Sequence, residues 1–158
     1  MKRVIIYCEG PTEETFITRI LTPALSLKNI FIRPSSCRGV SKYSRIRRDL
    51  NVLCRSDTSA IITTMLDYYA LPKDTPGADS VGNIADIYQR VRDKVETPEH
   101  INNNPHTAPS KRILRIHPQY NKVLDGYNIA NNIGLHAIRQ ECKHFDSWVR
   151  QLEALEDI

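Results

Sequence analysis

The chain has no C-x-x-C pair; Cys8, Cys37, Cys54 and Cys142 stand far apart. Zinc sites and redox dithiols are built on closely spaced thiols, so neither is expected. In a cytosolic chain, scattered cysteines read as reduced thiols, some of them buried. No Walker-type glycine loop and no dinucleotide-binding glycine fingerprint occurs, so any ATPase activity must belong to a partner. None of the histidines (His100, His106, His117, His136, His144) forms an H-x-x-x-H pair, and they read as surface or capping residues. Apolar runs are short, as at residues 4–6 and 60–62. They fall far below the roughly 20 residues of a membrane span. The first residues are basic and then apolar, but the apolar part is too short for a signal peptide, and Glu9 interrupts it. A cytoplasmic protein without a membrane partner is expected. Internal repeats and low-complexity tracts are also lacking.

What is present is an ordinary globular composition: 158 residues, 41% hydrophobic and 25% charged. That suits one domain, or one domain plus a tail, and needs no disulfide or metal to fold. The charge is uneven. Residues 1–60 hold 11 Lys/Arg and 5 Asp/Glu, a net +6, whereas residues 61–158 hold 11 and 13, a net −2. The excess peaks at Lys42, Arg45, Arg47, Arg48 and Arg55, with Asp49 alone opposing it locally. Such a patch can meet phosphates. On charge alone, a solvated helix face is the plainer reading.

Residues 3–8 form a short β-branched run that stops at Glu9-Gly10-Pro11, as a buried strand ending in a tight turn would. Thr12 is predicted to cap a helix, with Glu13 and Glu14 in its first turn and Pro23 ending or kinking it. Residues 29–34 read as a second strand. A polar loop over 35–41 leads to a helix whose apolar face is Tyr43, Ile46, Leu50 and Leu53. Tyr43 reads as core rather than as a stacking platform. Residues 58–66 are predicted to be a third strand covered on both faces, ending at Asp67. The order β-α-β-α-β implies a parallel sheet with right-handed crossovers. Residues 70–82 and 96–109 read as loops and 83–95 as a helix. The remainder reads as short amphipathic helices over 110–116, 120–124, 128–133, 135–142 and 145–155, broken at Pro118, Gly126, Gly134 and the Lys143-His144 junction. Residues 1–95 are expected to form the α/β core, and 96–158 a helical part packed on the same domain.

In a parallel sheet all strands point one way, so Glu9 and Asp67 are expected on the same carboxyl edge, where open α/β sheets bind ligands. Together they could hold Mg²⁺, which takes one or two carboxylates with waters and phosphate oxygens. Asp74 is a candidate third ligand, or equally a loop aspartate in water. Taken alone, Glu9-Gly10-Pro11-Thr12-Glu13-Glu14 is also compatible with a plain β-α turn carrying acidic capping residues. Lys111 and Arg112 lie near a predicted helix start, where their charge opposes the dipole. An anionic partner would account for them, and so would solvent. Arg38, Lys42, Arg45 and Arg48 are the other candidates for a nucleic-acid track.

A strand ending in Glu9-Gly10 with Thr12-Glu13 next, and a later strand ending in Asp67, resembles a Toprim domain. That is the metal-binding fold of topoisomerases, primases and the overcoming-lysogenization-defect nucleases. The run Glu9 to Glu14 resembles, more closely, a bacterial Toprim-like family, the domain of unknown function 4276. So do Thr63-Thr64-Met65-Leu66-Asp67-Tyr68-Tyr69-Ala70-Leu71-Pro72, Thr107-Ala108-Pro109-Ser110-Lys111-Arg112, Gly134-Leu135 and His144-Phe145-Asp146-Ser147-Trp148. The resemblance covers nearly the whole chain. It implies an α/β fold with a small parallel sheet flanked by helices and a helical C-terminal part. It also implies a Mg²⁺- or Mn²⁺-dependent nuclease or nucleic-acid-processing domain, working beside an ABC-type ATPase in phage defence. Glu9 would then be the general acid/base or a metal ligand, and Asp67 a metal ligand. The chain departs from the pattern twice. Tyr69 replaces the second acid of the Toprim D-x-D pair, and a middle segment with a strand and an acidic motif is missing near Val95-Glu96. A shortened, non-catalytic binding or regulatory subunit is therefore the alternative expectation. The exposed edges of a small sheet would allow a homodimer.

Overall fold

A computed structural model gives the structure and describes residues 2–39, 42–66, 71–72, 74–75 and 109–157. Asp67, the predicted helix over 83–95 and the loop up to residue 108 lie outside the described residues.

Three strands, β1 (Lys2–Cys8), β2 (Ile30–Ser36) and β3 (Ile61–Met65), form a parallel sheet in the order β2-β1-β3. The register pairs Val4 with both Ile32 and Ile61, and Cys8 with both Ser36 and Met65, so all three strands end on one edge. The fold is α/β, as the alternation of strand and helix signals implied. The central strand is buried from Val4 to Cys8. Side chains alternate across a strand, so its residues feed two cores. Val4, Ile6 and Cys8 pack with Ile30, Ile32, Ile17, Leu21 and Leu25. On the other face Tyr7 packs with Cys37 and Ile46, with Leu50, Leu53 and Leu66 beside them. β3 is shorter and less covered than expected, with Ile61 and Thr64 exposed, because it is an edge strand among the described residues. Its entry turn is anchored by Arg3, which donates to Asp57 Oδ1 at 2.9 Å and also to Ser59.

The first helix begins earlier than the expected Thr12 cap. Gly10 is the N-cap and α1 runs Pro11–Phe16. Proline loses nothing at the first helical position, where the missing N–H has no intrahelical partner. The Gly10 N–H donates to the Glu13 carboxylate at 3.0 Å, so Glu13 closes the turn. Pro23 neither ends the helix nor leaves it regular. A π turn (Ile17–Leu21) precedes it, and α2 (Thr22–Ser26) follows directly. A helical proline lacks a donor and crowds the carbonyl four residues back. The wider turn fits that need, and the Thr22 N–H reaches back to the Ile17 carbonyl instead.

Helix α3 (Tyr43–Ser56) covers the Tyr7 face through Ile46, Leu50 and Leu53. Tyr43 is half-buried rather than part of that core. The C-terminal part comprises α4 (Pro109–Ile116), α5 (Leu124–Ile133), α6 (Leu135–Glu141), α7 (Lys143–Glu153) and a 3-10 turn (Ala154–Asp157). Gly126 lies inside α5 rather than separating two pieces. Gly134, with φ of 81°, makes the break between α5 and α6. Val149 and Leu152 of α7 join the core beneath Val4 and Ile6. The Trp148 indole N–H donates to Thr63 Oγ1 at 3.0 Å, tying α7 to β3. Arg139 of α6 grips Asp146 Oδ1 at 2.6 Å and both Glu153 oxygens at 2.8 and 2.9 Å. Those hydrogen bonds hold both carboxyls below their usual range and push the guanidinium above its own. Among the described residues no helix is long and apolar enough to cross a membrane.

Candidate functional site

The sheet order reverses direction at β1, which puts the carboxyl end of that strand at a topological switch point, the usual ligand crevice of open α/β sheets. A cleft of about 660 Å³ opens there, lined by Glu9, Thr12, Glu14, Ser36, Arg38 and Lys122 among others. Glu9 follows the last residue of β1 and is half-buried. Its backbone is fixed by the loop after β2. The Gly39 N–H and the Cys37 thiol both donate to the Glu9 carbonyl, at 2.9 and 3.6 Å. To form that turn Arg38 adopts φ of 54° and Gly39 φ of 96°. Left-handed backbone at a non-glycine residue costs of order 1–3 kcal/mol and is held only where surrounding contacts over-determine it.

Those contacts come from α3. Arg45 Nη2 donates to the Cys37 carbonyl at 2.7 Å and Nη1 to the Gly39 carbonyl at 3.5 Å, while Nε lies 3.7 Å from Asp49 Oδ2. Asp49 in turn accepts from the Tyr7 hydroxyl at 3.1 Å. Burial, aided by Cys37 and Asp49, pushes the Tyr7 phenol above its ordinary range. Arg45, a candidate phosphate contact, acts as a strut that holds the Arg38-Gly39 turn against Glu9.

The cleft carries acids and bases together. Burial first, and then the charges of Glu14 and Glu13, push the Cys8 thiol up to about 12. Two carboxylates, Glu9 and Glu14, face the cleft, while Glu13 is engaged by Gly10. Among the described residues no group of three His, Cys, Asp or Glu side chains is placed to hold a metal. Mg²⁺ commonly takes only one or two carboxylates, completing its shell with water and phosphate oxygens. Glu9 and Glu14 are the carboxylates this cleft could offer such an ion. β3 ends on the same edge, one residue before Leu66 and two before Asp67, which lies outside the described residues.

The remaining predicted residues are dispersed. Asp74 accepts the Tyr43 N–H at 3.4 Å, at the start of α3, and lines a different cleft from Glu9. It supplies from outside the cap that Lys42, the exposed N-cap residue, does not. Arg38 joins the Glu9 cleft. Arg48 is exposed and lines the Asp74 cleft. Lys111 is exposed in the first turn of α4; Arg112 follows it, its side chain outside the described residues. Lys122 was missed. Asn121 Oδ1 accepts the Val123 and Leu124 N–H groups, and Asp125 accepts the Asn121 N–H, so Lys122 sits inside a tight helix start. Packing of Arg19 over the Tyr127 ring, 5.1 Å from its centroid, joins α5 to the first helix and helps bring Lys122 to the cleft. No local signal marks such a long-range placement. Arg47 and Arg55 were visible only as charge.

The family model described as Domain of unknown function (DUF4276) matches residues 8–91 and 80–153. The chain belongs to the DUF4276 family. The two DUF4276 matches overlap at residues 80–91. Comparison with curated proteins and with solved structures returns no match. Several DUF4276-like motifs have structural duties here. Asp146 is a ligand of Arg139 and Arg150, and Trp148 bridges to β3. Phe145 packs edge-on against Phe16 with centroids 5.8 Å apart.

Proposed function

We propose that the chain is a Toprim-like, Mg²⁺- or Mn²⁺-dependent domain that cleaves or processes nucleic acid in the cytoplasm, beside an ABC-type ATPase partner in phage defence. The observation that carries this reading is the setting of Glu9. A half-buried carboxylate stands at the carboxyl end of the central strand, in one cleft with Glu14, Arg38 and Lys122. Acids for a divalent cation and bases for a phosphate share that space. Glu9 and Asp67 would hold the ion, with Glu14 beside them. When bound, the ion supplies an activated water and a counter-charge for phosphodiester cleavage. Arg38 and Lys122 orient the anionic substrate, and the Arg45 strut keeps the Arg38 turn in place. The ATPase partner and the phage-defence setting rest on the Toprim-like resemblance alone.

The test is cleavage of plasmid DNA and of RNA with Mg²⁺ or Mn²⁺ by the unaltered chain, Glu9→Gln and Asp67→Asn. Cleavage lost in both variants supports the site; cleavage that survives both refutes it. A second reading follows from the departures of the sequence from the Toprim-like pattern, Tyr69 among them: a shortened, non-catalytic binding or regulatory subunit. Nucleic-acid binding without cleavage under any metal would select it.

A further inference from the structure

We infer that the outer face of α3 is a second, separate site, a track that grips the sugar-phosphate backbone of nucleic acid without reading sequence. A cleft of about 460 Å³ runs along this face, lined by Ser44, Arg47, Arg48, Asn51 and Arg55, with Asp74 at one end. None of these residues lines the Glu9 cleft. Arg47, Asn51 and Arg55 recur every four residues, one stripe of a helix. Arg47 and Arg55 are eight residues apart, about 12 Å along the axis, a span of three to four phosphates on one strand.

The charge on this face is available for an anion. Neither Arg47 nor Arg55 has a carboxylate partner among the described residues, and both are exposed. Arg48 touches Asp49 at 3.3 Å with its side chain 72% exposed, a surface pair that yields readily to a phosphate. Asp49, the one acid of α3, is turned to the opposite face by Tyr7 and Arg45. Asp74 is the only acid lining the cleft among the described residues, and it is engaged by the Tyr43 N–H. Guanidinium forks suit phosphate oxygens, and Ser44 and Asn51 add neutral donors. The inference rests on the proposed function in one respect, that the polyanion is nucleic acid.

Binding is measured by fluorescence anisotropy with the full chain in EDTA, so that failure of cleavage at Glu9 cannot affect it. The probes are labelled duplex DNA, single-stranded DNA and RNA, over about 50 to 200 mM salt. Each backbone contact is worth about five-fold at 0.15 M salt and close to one unit of salt slope. Combining Arg47→Gln, Arg48→Gln and Arg55→Gln is expected to weaken binding on the order of 100-fold and flatten the slope by two to three. The control pair Arg33→Gln and Arg115→Gln should change neither, and thermal melts confirm that both variants are folded. The inference is overturned by a chain that binds no nucleic acid, by a triple variant with unchanged slope, by an equal loss in the control pair, or by equal affinity for an acidic polypeptide.

Discussion

Replacing Arg45 by Met keeps an unbranched stem of similar length and removes the guanidinium. The main interaction removed is the 2.7 Å hydrogen bond to the Cys37 carbonyl; the bond to Gly39 is at its geometric limit and the Asp49 pair is long. A hydrogen bond to a charged donor contributes about 1.5–3 kcal/mol. The Arg45 side chain is 42% exposed, so the lower end applies. A loss of about 1.5 kcal/mol lowers Tm by about 3–6 °C for a chain of this size. Arg45→Lys should recover only part of the loss, because the ammonium can reach one carbonyl but lacks the planar fork that Arg45 presents to the turn. Thermal and urea melts of the three proteins measure this, with the urea m-value expected to stay constant. The refuting result is specific. If Arg45→Met melts within about 1 °C of the unaltered chain and its nucleic-acid salt slope drops by about one, Arg45 is a phosphate contact and not a strut.

Leu152→Ala should destabilise by about 2–5 kcal/mol, since the side chain is 4% exposed in the main core; a loss below about 1 kcal/mol in urea melts would show that α7 is a peripheral appendage. Stability should fall on both sides of neutrality. Glu153 and Asp146 titrate below their unfolded values, so their contribution is present above those values and is lost as pH falls through the folded ones. Cys8 and Tyr7 titrate above theirs, so their contribution is full below about pH 9 and fades as pH rises toward 12. Urea midpoints across pH test this, and Arg139→Met should flatten the acid limb; an unchanged acid limb contradicts the assignment. Thiol titration of the native chain near pH 8 should label Cys54 readily and spare buried Cys8 and Cys37 until the chain unfolds; labelling of Cys8 at the Cys54 rate would contradict its burial.

The sheet could be read from the sequence because β1 and β2 alternate or concentrate β-branched residues between turn signals. Parallel order followed from the helices between them. Helix boundaries were less legible. Thr12 reads as the cap, yet Gly10 takes that place, with Glu13 three residues on closing the turn onto the Gly10 N–H, a local capping-box spacing that the sequence also carried. Gly126 looked like a break, but a helix held by Asn121 and Asp125 tolerates the roughly 1 kcal/mol that glycine costs. Glu9 was legible as a strand-end acid. The division of labour among the arginines was not: Arg45 and Arg48 are three residues apart on one helix, and only the loop at Cys37 and Gly39 turns one into a strut. Lys122 reaches the cleft through packing between elements about a hundred residues apart in the chain, which no local pattern encodes.

The position of Val149 and Leu152 in the core has a consequence for how the chain is made. They close over strands that left the ribosome long before. At roughly 5–20 residues per second, the 120 residues between Ile32 and Leu152 take about 6–24 s to synthesise. Throughout that interval the Val4-Ile6-Cys8 face of the nascent sheet lacks its last cover. Newly begun chains therefore expose a sticky, β-branched surface for seconds. Until α7 emerges, that face is an aggregation-prone surface of the kind that chaperones shield.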